Sequence, residues 1–185
     1  MSENIEREIK IALTAEQYET AQKLFVWDKI IEQTNHYYIP KGDTGLTSIR
    51  VRQIGGKYFL QLKVPVSENG ALHVKKEFER QLDSLPEKLS AQELSELVGS
   101  DFPAADLAGS LHTRRKLCTA FESVEICLDK SDYLGVTDYE LELEYTGDYP
   151  EKPLEILKSA GIVQGKAVTG KYARFMERAK SLGKC

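Results

Sequence analysis

Apolar and polar residues alternate with a period of two along much of this chain, over residues 4–13, 31–40, 46–54, 57–66, 72–81, 110–119, 122–130 and 138–146. That period is the mark of a strand with one face buried, so the pattern predicts eight strands. Ile54-Gly55-Gly56-Lys57 is a two-residue hairpin signal, and Ser67-Glu68-Asn69-Gly70 a slightly longer turn, so neighbouring strands run antiparallel. Four segments switch to helical spacing. Thr14 with Gln17 opens one ahead of Tyr18, Ala21 and Phe25, and Ser90 opens a short one to about Val98. Residues 153–160 stop at Gly161, and residues 171–182 at Gly183. In the last helix Tyr172, Phe175, Met176 and Ala179 share a face opposite Lys171, Arg174 and Arg178. The stretch 99–109 reads as a loop, and with no linker or repeat the chain reads as a single domain over residues 1–185.

The polar phase of the strands is unusual. Glu6, Glu8 and Lys10 oppose Ile9, Ile11 and Leu13, and Arg50 and Arg52 oppose Ile49 and Val51. Gln61 and Lys63 oppose Leu60 and Leu62, Lys75, Glu77 and Glu79 oppose Val74 and Phe78, Glu125 and Asp129 oppose Val124, Ile126 and Leu128, and Glu140, Glu142 and Glu144 oppose Leu141, Leu143 and Tyr145. A two-residue loop at Gly55-Gly56 pairs 54 with 57, 52 with 59 and 50 with 61, which puts Arg50, Arg52, Gln61 and Lys63 on one face. An ordinary solvated face mixes Thr, Ser, Lys and Glu loosely, whereas here acids and bases are packed at i, i+2 spacing.

Composition narrows the chemistry. With 185 residues, 41% hydrophobic and 29% charged, the chain can bury a core without staples. The net charge of −4 is too mild for a duplex-coating nucleic-acid binder or a polybasic membrane anchor. Basic residues concentrate after residue 165, where Lys166, Lys171, Arg174, Arg178, Lys180 and Lys184 face the single Glu177. No run of about 18 apolar residues is present and MSENIEREIK has no signal core, so a cytoplasmic protein is expected, without a membrane or nucleic-acid partner. The three cysteines and three histidines have no zinc-ligand spacing.

Clustered carboxylates repel unless cations lie between them, and oxygen donors suit Mg²⁺ or Mn²⁺ rather than zinc. Arg-x-Arg supplies forked donors that match phosphate oxygens. Together they describe a polyphosphate held with divalent metal. Eight antiparallel strands can close into a barrel, with the charged phase inward and the helices covering the apolar outside.

Glu6-x-Glu8-x-Lys10, followed in order by Arg50-x-Arg52, Lys63, Glu77-x-Glu79, Thr113-x-Arg115, Asp129 before Tyr133-Leu134-Gly135, Asp138-Tyr139-Glu140-Leu141-Glu142 and Gly170-Lys171-Tyr172, resembles the CYTH superfamily, the triphosphate tunnel metalloenzymes. The likeness runs over residues 6–175. It implies an α+β fold, an eight-stranded antiparallel β-barrel forming a tunnel, with amphipathic helices packed on the outside. It implies metal ligands at Glu6, Glu8, Asp129, Glu140 and Glu142, and phosphate contacts at Lys10, Arg50, Arg52, Lys63, Glu77, Arg115 and Lys171. Glu6, Glu8, Lys10 and Lys63 are then the candidate catalytic groups, with Mg²⁺ or Mn²⁺ as cofactor. Arg114, Arg115 and Lys116 compete for one position, and the T-x-R spacing favours Arg115; Glu125 and Glu144 are expected to stay off the metal. Two features depart from the family pattern: Tyr37-Tyr38 runs into Ile39-Pro40 where an acidic residue is usual, and three bases stand at 114–116.

The expected activity is metal-dependent hydrolysis of a linear triphosphate, either inorganic tripolyphosphate or a small organic triphosphate such as thiamine triphosphate. The alternatives are a class IV-type adenylate cyclase acting on ATP, and a non-catalytic polyphosphate or nucleotide binder. The partner is a small-molecule triphosphate, and an apolar exterior strip would suit a homodimer.

Overall fold

The computed structural model describes residues 7–42, 44, 48–69, 72–165 and 168–184, with strand residues 64–69 and 72–75 described by backbone alone. Glu6, Lys166 and the tip of the Ser67–Gly70 turn lie outside the described residues. The chain forms two compact units. The first holds residues up to 32 and 113–170, the second residues 33–112 and 171 onward.

The first unit contains β1 (Arg7–Leu13), α1 (Ala15–Leu24), β8 (Val124–Tyr133), β9 (Val136–Tyr145) and α3 (Glu151–Ser159). It also holds the second half of β7 (Ala105–Phe121), and its strands run β1-β9-β8-β7, with β9 antiparallel to both β1 and β8. Ile9, Ile11, Leu13, Val124, Ile126, Leu128, Leu141 and Leu143 form the buried apolar face predicted from their phase. Tyr18, Ala21 and Phe25 from α1 and its C-terminal end, and Leu157 of α3, pack on it. Helix α1 starts where Thr14 and Gln17 cap each other's backbone, the capping box read in the sequence.

The second unit contains β2 (Lys29–Pro40, from residue 33), β3 (Ser48–Ile54), β4 (Lys57–Asn69), β5 (Leu72–Leu82), the short β6 (Lys88–Leu89), α2 (Ala91–Val98), the first half of β7 and α4 (Lys171–Ser181). Its strands run β7-β2-β3-β4-β5, and β6 pairs with β7. The hairpin register is the expected one, Ile54 with Lys57, Arg52 with Phe59 and Arg50 with Gln61. Gly55 and Gly56 have φ of 56° and 75°, the left-handed pair that a two-residue hairpin needs. Tyr38, Ile49, Val51, Leu60 and Leu62 form the apolar face, covered by Leu94 of α2.

The fold class is the expected one, antiparallel strands with four helices among the described residues, although no hydrogen-bonded pairing among those residues closes the strand order into a barrel, and the structure refines it in three places. A ninth strand, β6, is only two residues long and carries no periodicity. Strand β7 begins at Ala105, inside the stretch 99–109 that composition marks as loop, because β6 supplies a partner there. Helix α4 packs on the charged face of its unit rather than the apolar one. Phe175 and Tyr172 lie 4.9 Å and 5.2 Å from the Tyr37 ring, and Tyr37 is the cross-strand partner of Arg50.

Candidate metal and phosphate-binding residues

In the first unit the register stacks the acidic strands. Glu8, Glu144 and Glu125 form one cross-strand row, Lys10, Glu142 and Cys127 the next, and Ala12, Glu140 and Asp129 a third. Two groups of carboxylates have oxygens within 4.8 Å of one another: Glu8, Glu142 and Glu144, and Asp129, Glu140 and Glu142. Glu142 belongs to both. The second group is nearly sealed from water, with Asp129, Glu140 and Glu142 exposed by 0%, 2% and 4%. Glu144 joins the first group by proximity, because it neighbours Glu8 directly across the β1–β9 pair. Glu125, in the same row, is exposed and is in neither group.

Two cations hold this acidic face together. Arg115 donates its Nε to Asp129 Oδ1 at 2.8 Å and its Nη2 to Asp129 Oδ2 at 2.7 Å, and Nη2 also reaches Glu142. Burial works against the Arg115 charge, but the hydrogen bonds and field of Asp129, with Glu142, outweigh it and raise its pKa. Lys10 lies 3.1 Å from Glu8 and 3.7 Å from Glu142. At 114–116 the three basic side chains diverge. Arg114 pairs with Glu32 at 3.5 Å, and Lys116 donates to Gln22 of α1 at 2.5 Å, so both point to the helix-covered side while Arg115 points to the carboxylates. Burial still raises the pKa of Glu142 against the opposing pull of Arg115. It also pushes the Cys127 thiol up to about 12, which keeps that thiol neutral and unreactive.

In the second unit Ser48, Arg50 and Arg52 of β3 pair with Lys63, Gln61 and Phe59 of β4 and share their face. Lys63 contacts its partner Glu77 at 2.5 Å, and that hydrogen bond holds the Glu77 carboxyl below its usual range. Arg50 Nε donates to Gln61 Oε1 at 2.8 Å, Gln61 Nε2 donates to Glu79 Oε2 at 2.5 Å, and Arg52 Nε donates to Asn35 Oδ1 at 3.2 Å. Burial raises the Tyr37 phenol pKa, opposed by the fields of Arg50, Arg52 and Arg174. Arg174 of α4 thus belongs to the basic surroundings of Tyr37, a placement its helix periodicity alone did not reveal. Lys171 opens the same helix.

All the candidate site residues except Glu6 are described. Glu8, Lys10, Arg115, Asp129, Glu140 and Glu142 lie together in the first unit, and Arg50, Arg52, Lys63, Glu77 and Lys171 belong to the second. Asn35 was missed as a site neighbour because an amide in a polar phase carries no charge signal. Only its pairing opposite Arg52 exposes it.

The donors on the acidic face are all carboxylate oxygens, several of them buried. That set fits a hard divalent cation. No helix among the described residues is long and apolar enough to cross a membrane.

The chain is 31% identical to the Bacillus subtilis protein named "Putative triphosphatase YjbK", over 97% of this chain and 98% of that one. A Bacillus halodurans structure described as a "putative adenylate cyclase" superposes with a TM-score of 0.66 at 25% identity, over 93% of this chain and 97% of that one. HpAC1 from Hippeastrum, described as a "putative adenylyl cyclase" with a dominant triphosphatase activity, gives a TM-score of 0.69 at 20% identity, over 94% and 96% of the two chains, and shares the fold. The CYTH domain matches residues 4–170, spanning both units, and the chain therefore belongs to the CYTH domain family.

Proposed function

We propose that the protein is a divalent-metal-dependent hydrolase of linear triphosphates, with tripolyphosphate or a small organic triphosphate such as thiamine triphosphate as substrate. The observation that carries this reading is the pair of carboxylate groups sharing Glu142, whose oxygens lie within 4.8 Å of one another. Likeness to a protein named as a triphosphatase, over nearly the full length of both chains, supports it.

Glu8, Glu142 and Glu144, with Asp129 and Glu140, would hold Mg²⁺ or Mn²⁺, which supplies charge neutralisation to the phosphate oxygens. Glu6, two residues before Glu8 in the sequence, is assigned to the same set. Arg50, Arg52 and Lys63 bind phosphate oxygens and stabilise charge on the transferring group, and Lys171 adds a further contact. Glu77 acts through Lys63, whose ammonium it holds in place. Lys10 tempers the repulsion between Glu8 and Glu142. Arg115 orients the carboxylates of Asp129 and Glu142 through its hydrogen bonds. Glu8, the more exposed of the carboxylates, is the group suited to orient an attacking water. Phosphoryl transfer demands mainly positioning and electrostatics, which is what these residues offer.

The adenylate cyclase reading is kept because a structural relative is described in those terms. One panel separates the two. Tripolyphosphate, thiamine triphosphate and ATP are each incubated with Mg²⁺ or Mn²⁺, and orthophosphate, pyrophosphate and cyclic AMP are scored. Orthophosphate from tripolyphosphate supports the proposal. Cyclic AMP and pyrophosphate from ATP, with tripolyphosphate untouched, overturn it.

A further inference from the structure

Arg115 occupies a place among the candidate metal ligands. Its Nε donates to Asp129 Oδ1 at 2.8 Å and its Nη2 to Asp129 Oδ2 at 2.7 Å, so both Asp129 oxygens accept from one guanidinium, and Nη2 also donates to Glu142. Asp129 and Glu142 are two of the three carboxylates of the buried group, and the third, Glu140, stands directly opposite Asp129 across the β8–β9 pair. A divalent ion ligated by this group would stand against the guanidinium with little water to screen the two positive charges. Losing a proton offers no relief, because an arginine stays protonated in proteins. Two cations therefore compete for one set of oxygens. The other group is more open, with the Glu8 and Glu144 side chains 38% and 36% exposed, and Arg115 Nη1 already lies 4.0 Å from Glu144. Arg115 itself is 19% exposed against 0% for Asp129, so its path away from the buried oxygens runs toward that open side.

We propose that Arg115 is the resident counter-ion of the buried carboxylate group, displaced when a divalent cation loads Asp129, Glu140 and Glu142, and that its guanidinium then turns to the Glu144 side, where it meets a phosphate oxygen. This rests on the metal-dependent reading above and adds an order to it. In the metal-free protein Arg115 offsets the repulsion among the buried acids. Its fork becomes available to phosphate only after metal has taken its carboxylates. By reciprocity, phosphate that captures the released Arg115 tightens metal binding.

The test titrates the full-length protein, stripped with EDTA, with Mg²⁺ alone. Calorimetry gives the affinity, and the Arg115 Nε–H resonance, assigned by its loss in Arg115→Lys, reports whether the guanidinium is still held. The resonance is expected to be protected from water without metal and to shift and lose that protection with the midpoint of Mg²⁺ binding. Glu140→Gln, which touches only the buried group, should keep Arg115 protected at Mg²⁺ concentrations that release it in wild type, whereas Glu8→Gln, which touches only the open group, should still allow release. Arg115→Lys keeps the positive charge but loses the fork that holds both Asp129 oxygens, so Mg²⁺ should bind about tenfold more tightly, the size of one charge-assisted hydrogen bond. A neighbour that acts by charge alone would leave the affinity within twofold. That result, or an Arg115 resonance still protected when calorimetry shows Mg²⁺ bound, overturns the proposal and leaves the metal-dependent reading standing. Wild-type protein that binds neither Mg²⁺ nor Mn²⁺ overturns both.

Discussion

Glu142 is the residue on which the acidic face turns. It lies in both carboxylate groups, is almost fully buried, touches Arg115 and Lys10, and has its pKa raised by that burial. Glu142→Gln keeps the shape and removes the charge common to both groups, so metal-dependent phosphate release should fall by at least about a hundredfold. Phosphate release measured across a Mg²⁺ titration checks this. Arg115 has the complementary role. Arg115→Ala leaves Asp129 and Glu142 as buried charges without their main partner and should cost about 3–5 kcal/mol in stability, read from urea unfolding. Much of this was legible from residue types: the spacing separated Glu8, Asp129, Glu140 and Glu142 from the apolar phase. The same spacing placed Glu144 in the polar phase, but only its position opposite Glu8 on the neighbouring strand brings it into a carboxylate group.

At the scale of elements, the Gly55-Gly56 hairpin was readable to the exact pair, since a two-residue loop leaves one register. The helix starts at Thr14 and Ser90 were readable for the same local reason. The β2–β7 pairing in the second unit was not, and it buries His36 between Ser110, 2.7 Å from Nδ1, and Gln53, 3.3 Å from Nε2. Burial lowers the His36 pKa below 6.5, only partly offset by Gln53. The folded state therefore binds this proton less readily than the unfolded chain. His36 leaves stability intact above about pH 6.5, and stability is lost as pH falls from there through the lower folded value. The melting temperature of wild type should drop more between pH 7 and pH 5 than that of His36→Gln, as followed by circular dichroism. Equal slopes would show that His36 does not contribute.

For the whole molecule, a net charge of −4 conceals an acidic face in the first unit and a basic one in the second. Repulsion among Glu8, Asp129, Glu140, Glu142 and Glu144 predicts that Mg²⁺ or Mn²⁺ stabilises the fold by mass action, by about 2.7 kcal/mol at a hundredfold excess over Kd. A melting temperature that rises with metal and returns with EDTA verifies it, and Glu142→Gln should abolish most of the rise.

The sequence by itself determined which residues share a face, because alternation is a property of the local backbone, and it determined the chemistry of that face, because carboxylates and guanidinium groups announce their partners. It also carried the family signature. Only the tertiary structure decided which strands are neighbours. Pairing β1 with β9 brings Glu8 from one end of the chain against Glu142 and Glu144 from the other, and such long-range pairing leaves no trace in local periodicity. The same holds for α4, whose apolar stripe specifies that it must be covered but not that Tyr37, beside Arg50, would cover it.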